Sequence, residues 1–189
     1  TVLQYCNGAV WVPVHDGAKP AKAPRKVFVT STTTTGALGG VDGAHSFCQA
    51  RADAAGLAGS YRAWIATGAA DQPSATFAQS ATGYVRVDGT KVADTWADLT
   101  DGTLDAAITI DETGATQSST NNVWSNVTTA GAAKGTANTD HCTGWTIGTN
   151  TPSGQRAHSN SATSTWTDKG ATTPTTNCNG TLRLYCFQQ

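Results

Sequence analysis

Charge is scarce in this 189-residue sequence, and its scarcity excludes several classes of function. Only 13% of the residues are charged, the formal net charge is −1, and no run of lysine or arginine occurs. Nucleic acids and anionic membranes attract proteins that carry a positive field, so neither is expected as a partner. No apolar stretch approaches the roughly 20 residues that span a bilayer, so membrane insertion is not expected either.

Metal-binding cysteine motifs are also missing. The five cysteines form no CxxC pair and no cysteine and histidine cluster at zinc spacing. Disulfides in an oxidising compartment are therefore expected, and the protein is expected to be secreted or on a cell surface. Because the count is odd, one cysteine is free or pairs with another chain, and Cys6 is the natural candidate for such an intermolecular contact. The others are Cys48, Cys142, Cys178 and Cys186.

The first 24 residues differ in pattern from the rest of the chain. LQYCNGAVWVPV has alternating apolar residues around Asn7-Gly8, which predicts a small β-hairpin with a type I′ turn. DGAKPAKAP, from Asp16 to Pro24, has no apolar pattern and is typical of a linker. We therefore expect a hairpin and linker over residues 1–24 and one principal domain over residues 25–189.

The principal domain mixes strand and helix patterns. The apolar residues between Asp42 and Leu57 recur every three or four positions, which predicts a helix with Asp42 as N-cap and Gly56 as its end. GYVRVDGTKVADTW, from Gly83 to Trp96, predicts a hairpin around Asp88-Gly89. Further strands are expected over 26–31, 61–67 and, in the middle of a sheet, 181–187, with one helical turn over 74–79.

From about residue 97 to 181, short apolar islands are separated by long polar stretches. Loops of this length inside a domain are usually functional. A tryptophan beside asparagines offers a flat apolar face with amide donors and acceptors, as a sugar or protein ligand requires. The alternative is that the tryptophans fill a small second core under the loops. The candidate ligand-binding residues are Asn122, Trp124, Asn126, Trp145, Asn150 and Trp166.

Acidic residues are densest around Asp111 and Glu112. Their oxygens could hold calcium or act as a general acid and base, although a solvated loop is the simpler interpretation. A hydrolase would need one of them to face a second carboxylate such as Asp140. His45 and His158 lack sequence neighbours that would define a site, and His141, between Asp140 and Cys142, has no thiolate to activate if Cys142 is bridged, so all three are expected to be structural or at the surface. No nucleophile or phosphate-binding motif occurs, so we expect no enzyme and no cofactor, with calcium at Asp111 and Glu112 as the alternative.

The last cysteine lies three residues from Gln189, on the predicted final strand. A disulfide there would hold a terminal strand that otherwise frays. Four cysteines allow three connectivities, and spacing alone does not choose among them.

Several stretches together carry a family resemblance: KVFVTSTTTTGALGG at the start of the principal domain, then VWSN, HCTGW and STW, and CNGTLRLYCFQQ at its end. They resemble a family of uncharacterised bacterial secreted domains that is similar in fold to collagen endostatin and to C-type lectin-like domains. The resemblance implies an α+β domain with paired terminal strands, one main helix and long loops that bind ligand. It also implies nested disulfides, Cys48 with Cys186 and Cys142 with Cys178.

Two departures limit what the resemblance implies about function. The chain lacks the Glu-Pro-Asn or Gln-Pro-Asp tripeptide and the Trp-Asn-Asp of calcium-dependent lectins, and its arginines are not clustered as heparin binding requires. We expect an extracellular binding module for a cell-surface glycan or protein, at the end of a larger secreted, surface or phage-tail-like protein. The alternative is a structural capping or oligomerisation module of a fibre or adhesin.

Overall fold

The fold is mixed α+β. The structure is a computed structural model, and it describes residues 4–6, 8, 11–13, 22–117, 122–170 and 175–189. The helices are α1 (Gly40–Ala54), α2 (Pro73–Thr76) and α3 (Trp96–Leu99), with a 3₁₀ turn at Ser164–Trp166. The strands are β1 (Gln4–Cys6), β2 (Trp11–Pro13), β3 (Arg25–Val29), β4 (Tyr61–Ala63), β5 (Tyr84–Arg86), β6 (Lys91–Ala93), β7 (Asn122–Trp124), β8 (Ser153–His158), β9 (Thr175–Asn177) and β10 (Tyr185–Gln188).

The central sheet has five strands in the order β4-β10-β3-β5-β6. The last strand, β10, lies between β3 and β4 and pairs antiparallel with both, so the two terminal strands of the principal domain are neighbours, as predicted. The ladder of β10 is shorter than the predicted 181–187, but Leu182 still forms an isolated bridge with Thr34. β7, β8 and β9 form a second, antiparallel sheet within the long-loop region.

Alternation along the strands divides the core between the two faces of the central sheet. Successive side chains of a strand point to opposite faces, so Val27 and Val29 join one cluster and Phe28 joins the other. Tyr185 and Phe187 likewise lie opposite Cys186. One face carries an aromatic cluster centred on Trp64, Phe77, Trp166 and Phe187, and the other face packs against α1.

Helix α1 begins two residues before the predicted N-cap, so the assignment of Asp42 was wrong. Gly39 and Gly40 take left-handed φ angles of 79° and 85°, which only glycine adopts at little cost, and the chain turns into the helix there. Gly56 ends the helix as predicted, with φ of 67°, while the Leu57 N–H donates to the Ala52 carbonyl. Ala44, Cys48 and Ala52 are fully buried on its inner face.

Both disulfides have the connectivity that the family resemblance implies. Cys48 on α1 is bonded to Cys186 on β10, and Cys142 is bonded to Cys178 in the long-loop region. The first bridge spans 138 residues of sequence. In the chain-entropy model a loop of that length contributes about 4 to 5 kcal/mol of stability, so the terminal strand is firmly held.

The two predicted hairpins differ in how closely they match expectation. β5 and β6 pair antiparallel around Asp88-Gly89, and Gly89 has a φ of 87°, which confirms the turn. β1 and β2 also pair, but Cys6 lies opposite Trp11, so the loop is longer than a two-residue turn at Asn7-Gly8 would be. Most of the predicted linker falls on residues 14–21, outside the described residues.

The remaining predicted elements are present in shortened form. β3 ends at Val29, and beyond it the Leu184 N–H donates to the Thr30 side chain and the Ser31 N–H to the Glu112 carboxylate. The predicted strand over 61–67 is regular only in β4, and the expected helical turn is α2. None of the helices within the described ranges has the length and apolar character needed to cross a membrane.

Candidate functional site

The three tryptophans predicted to bind ligand are fully buried. Trp124 packs against Trp145 with 5.7 Å between ring centroids, and Trp166 packs against Trp64 at 5.1 Å. The indole N–H groups of Trp124 and Trp145 donate to backbone carbonyls. Since none of the three rings reaches the surface, the structure corrects the prediction that they stack on a ligand. The alternative of a small second core is also wrong, because Trp166 belongs to the aromatic cluster on one face of the central sheet and Trp124 and Trp145 to the cluster on the other face.

The three predicted asparagines occupy different environments. Asn126 is fully buried, and its amide bonds the backbone of Ala66 and Gly135, so it holds two loops together. Asn122 is half-buried in β7, with an Oδ1 atom that has no partner. Asn150 is exposed and accepts a hydrogen bond from the side chain of Asn177. The structure therefore does not bring the six predicted residues together around one surface site.

Asp111 and Glu112 are buried, and protein donors surround both carboxylates. Asp111 accepts hydrogen bonds from Thr113, Ala115 and Gln117. Burial alone would raise its pKa, but these hydrogen bonds outweigh it and hold the pKa of Asp111 below its usual value.

Glu112 links Ser31, which follows β3, to α1. It accepts from the backbone and hydroxyl of Ser31 and from the Arg51 guanidinium, which pairs with it at 2.6 Å. Asp140 contacts other groups, the Gln155 amide and the Ala137 N–H, so it shares no partner with either residue. These contacts make Asp111 and Glu112 structural connectors of their loop.

An open cleft of about 420 Å³ lies at the N-terminus of α1. One wall is the first turn of the helix and the other is the segment from β4 to α2, while Gly144 reaches it from the long-loop region. The N-cap of α1 is Gly39, so no side chain caps the first N–H groups of the helix. The polar side chains that line the cleft are Asp42, His45, Arg62, Thr67, Asp71 and Thr76.

Edge strand β4 explains the position of His45. β4 pairs only on its β10 side, so its outward N–H groups need other acceptors. Helix α1 supplies them: Gln49 Oε1 accepts from the Tyr61 N–H at 2.8 Å, and His45 Nδ1 accepts from the Ala63 N–H at 3.2 Å. Burial of the ring and the nearby charge of Arg62 lower the pKa of His45 to about 4. The ring is thus neutral at pH 7, and its proton is on Nε2.

The charges around the cleft are mixed. The Arg62 guanidinium donates to the Thr76 carbonyl at 2.9 Å, and this hydrogen bond fixes the position of the guanidinium. Burial alone would raise the pKa of Asp71, but hydrogen bonds from the Thr67 hydroxyl and from the N–H groups of Thr67 and Gly68 outweigh it and lower the pKa. Asp42 is exposed at the first turn of α1. The lining of the cleft therefore holds one cation, Arg62, and two carboxylates, Asp42 and Asp71. It offers both hydrogen-bond donors and hydrogen-bond acceptors.

A left-handed turn at Cys142–Trp145 forms the third side of the cleft. All four residues have positive φ, from 48° to 71°, and only Gly144 adopts this conformation freely. Each of the other three costs about 1 to 2 kcal/mol. The disulfide at Cys142, the buried Trp145 ring and the hydrogen bond from the Gly144 N–H to His141 Nδ1 hold the turn. Backbone strain of this kind persists only where surrounding contacts determine it.

Sequence reasoning missed the cleft because its residues are distant in the chain. From the sequence alone His45 is expected to be structural or at the surface, and Arg62 is one of several arginines that are scattered along the chain. The one local signal was the Gly39-Gly40 pair, which marks a helix start without a side-chain cap. Comparison of the chain with protein-family models and with curated proteins finds no match.

Proposed function

We propose that this protein is an extracellular binding module with a C-type-lectin-like, endostatin-like architecture, and that it binds a glycan in the cleft at the N-terminus of α1. The paired strands β3 and β10, the helix that follows β3 and the nested disulfides support the architecture. The fully buried disulfides also support an oxidising, extracellular location.

The observation that carries the binding proposal is the cleft itself. Its volume of about 420 Å³ falls in the range of small-molecule sites, roughly 300 to 1,000 Å³. Its polar lining offers hydroxyl, carboxylate, guanidinium and imidazole groups, together with the uncapped N–H groups of α1. A sugar has many hydroxyls that both donate and accept, so this mixture of groups matches it better than it matches an apolar ligand.

The charge balance favours a neutral ligand. Asp42 and Asp71 place two negative charges beside the single positive charge of Arg62, and His45 is neutral at pH 7. An acidic ligand would meet two like charges, which opposes binding.

The same groups favour binding over catalysis. A general base must offer a lone pair to the ligand, but the basic nitrogen of His45 accepts a hydrogen bond from the Ala63 backbone. We therefore propose that the module retains its ligand without transforming it.

A glycan array probed with the 189-residue chain tests this proposal, with calcium and again with chelator. We expect binding to neutral glycans, and we expect Asp42→Asn to weaken it about tenfold through loss of a charged hydrogen bond. Asp53→Asn is the matched control, because it removes the same charge from an exposed residue at the other end of α1. A blank array under both conditions, or equal loss in the two variants, would refute the proposal.

A structural module is the second candidate, and the hairpin favours it. Cys6 is free and exposed, and it lies opposite Trp11, whose side chain is 67% exposed. A thiol beside an exposed indole suits covalent pairing with another chain. Light scattering of the wild type and of Cys6→Ser in oxidising buffer tests this candidate, which requires a covalent oligomer that the variant lacks.

A further inference from the structure

We propose that His45 determines the specificity of the cleft by presenting Nε2–H as a fixed donor to a neutral oxygen of the ligand, such as a sugar hydroxyl. This inference rests on the proposed function and adds to it the residue that selects the ligand.

The first step is the tautomer. Nδ1 of His45 accepts from the Ala63 N–H at 3.2 Å, so it cannot carry the proton of the neutral ring. That N–H belongs to edge strand β4 and has no ladder partner on that side, which makes the hydrogen bond part of the fold. The proton is therefore confined to Nε2, whatever ligand is present.

The second step is the free position of Nε2. His45 is half-buried and lines the cleft, while Nε2 has no hydrogen-bond partner among the described residues. Solvent reaches Nε2, because this atom is not among the buried side-chain atoms without a hydrogen-bond partner. An N–H that is open to a cleft and held in one orientation can donate to a ligand acceptor without breaking a hydrogen bond within the protein.

The third step is the persistence of the donor. The groups that face the ring are Arg62 on β4, Asp71 in the following segment and Asp42 on α1 itself. Burial and Arg62 favour the neutral ring more strongly than the two carboxylates favour the charged one. From neutral pH down to about pH 5 the ring thus adds no positive charge beside Asp42 and Asp71, so these two carboxylates disfavour an anion and the Nε2–H is left for a hydroxyl or carbonyl oxygen.

Two substitutions separate the two nitrogens of the ring. In His45→Asn the side-chain oxygen can take the place of Nδ1 and accept from Ala63, but nothing replaces Nε2–H. In His45→Gln the longer amide can place its N–H near the position of Nε2, but the acceptor for Ala63 is lost. The proposal expects His45→Asn to bind about three- to tenfold more weakly, and His45→Gln to stay within about twofold of the wild type.

The test is nuclear magnetic resonance of the whole ¹⁵N-labelled chain with named sugars: D-glucose, D-galactose, N-acetyl-D-glucosamine and the acidic N-acetylneuraminic acid. Long-range ¹H–¹⁵N spectra of the free protein should show protonated Nε2 at His45. Addition of at least one neutral sugar should shift Nε2 together with the cleft amides of Gly40 and Thr67. Thermal unfolding of both variants establishes that they are folded.

The outcomes separate this inference from the function on which it rests. Cleft amides that shift with equal affinity in His45→Asn and the wild type would overturn the role of His45 and leave glycan binding intact. A proton on Nδ1, or tighter binding of N-acetylneuraminic acid than of every neutral sugar, would also overturn the role of His45 without contradicting glycan binding. Cleft amides that no sugar shifts would refute glycan binding in the cleft, and the role of His45 with it.

Discussion

The composition of the long-loop region favours a ligand site more than that of the cleft at the start of α1 does, but in the structure the cleft is the open surface. The loops hold aromatic residues among asparagines and threonines, yet Trp124, Trp145 and Trp166 are fully buried. The cleft is lined by no tryptophan, tyrosine or phenylalanine, yet it is the open, polar concavity. Burial is decided by long-range packing, so a tryptophan among polar neighbours is a core residue wherever an apolar surface lies beneath it.

The largest expected effect tests whether the tryptophans of the long-loop region are core residues. Replacing Trp145 by Ala removes a fully buried ring that contacts Trp124 and donates to the Ala66 carbonyl at 3.0 Å. We expect a loss of about 3 to 5 kcal/mol in the free energy of unfolding, measured by chemical denaturation. A surface ligand platform would behave differently, with little loss of stability and a direct loss of binding. Exposed Trp11→Ala is the control, and it should be nearly neutral.

The disulfide of the long-loop region gives the next effect in size. Removing it with Cys142→Ala and Cys178→Ala opens a bridge of 36 residues, for which the chain-entropy model gives about 3 to 4 kcal/mol. Because Cys142 begins the left-handed turn that reaches the cleft, this variant should also lose ligand affinity while it remains folded. Cys6→Ser, which removes the free thiol, should leave the denaturation midpoint unchanged. An equal shift in both variants would contradict the role of the bridge.

In the cleft, the lowered pKa of His45 makes the free energy of unfolding depend on pH. Well above pH 6.5, His45 is neutral in the folded and unfolded chains, so it contributes nothing to pH dependence. As the pH falls from about 6.5 to 4, the unfolded chain takes up a proton that the folded ring, with its pKa of about 4, does not. Stability therefore falls over this window. Full burial would give about 3 kcal/mol, and the partial exposure of the ring reduces this to roughly 1 to 2 kcal/mol.

Urea denaturation of the wild type and of His45→Gln between pH 7 and pH 4 measures this contribution. The variant should lose less stability over the window than the wild type does. Some slope should remain, because burial and the charges of Lys169 and Arg156 also lower the pKa of His158. Identical slopes in the two proteins would mean that His45 titrates normally in the fold.

Local chemistry explains which parts of the fold could be predicted from the sequence. The hairpin at Asp88-Gly89, the end of α1 at Gly56 and the alternation of the terminal strands each depend on neighbouring residues, so their patterns are visible in the chain. The start of α1 was misplaced because Asp42 is a good N-cap type, whereas the actual turn depends on the backbone freedom of Gly39 and Gly40.

The candidate site could not be predicted in the same way. Its walls join residues 39–45, 62–76 and 144, which the tertiary fold alone brings together. The role of His45 depends on an unpaired N–H at the edge of β4, and that edge exists only once the sheet order is known. The polar residues near Trp124 and Trp166 were visible in the sequence, but the apolar surface beneath the rings was not.

Gly144 is where the two regions meet, and its substitution gives the smallest and most specific effect. Its φ is 71°, and a methyl group built there would meet no atom within 4 Å, so Gly144→Ala strains only the backbone, by about 1 kcal/mol. Gly114→Ala is the matched control, since Gly114 has a φ of 88° and equally open space in a loop that does not line the cleft. Both variants should lose the same stability in denaturation, because the backbone cost is the same. Titration with the sugar that shifts the cleft amides should then show weaker binding in Gly144→Ala alone, since only this variant adds a methyl group to a residue that lines the cleft. Equal binding by the two variants would mean that the left-handed turn supports the loop core and takes no part in recognition.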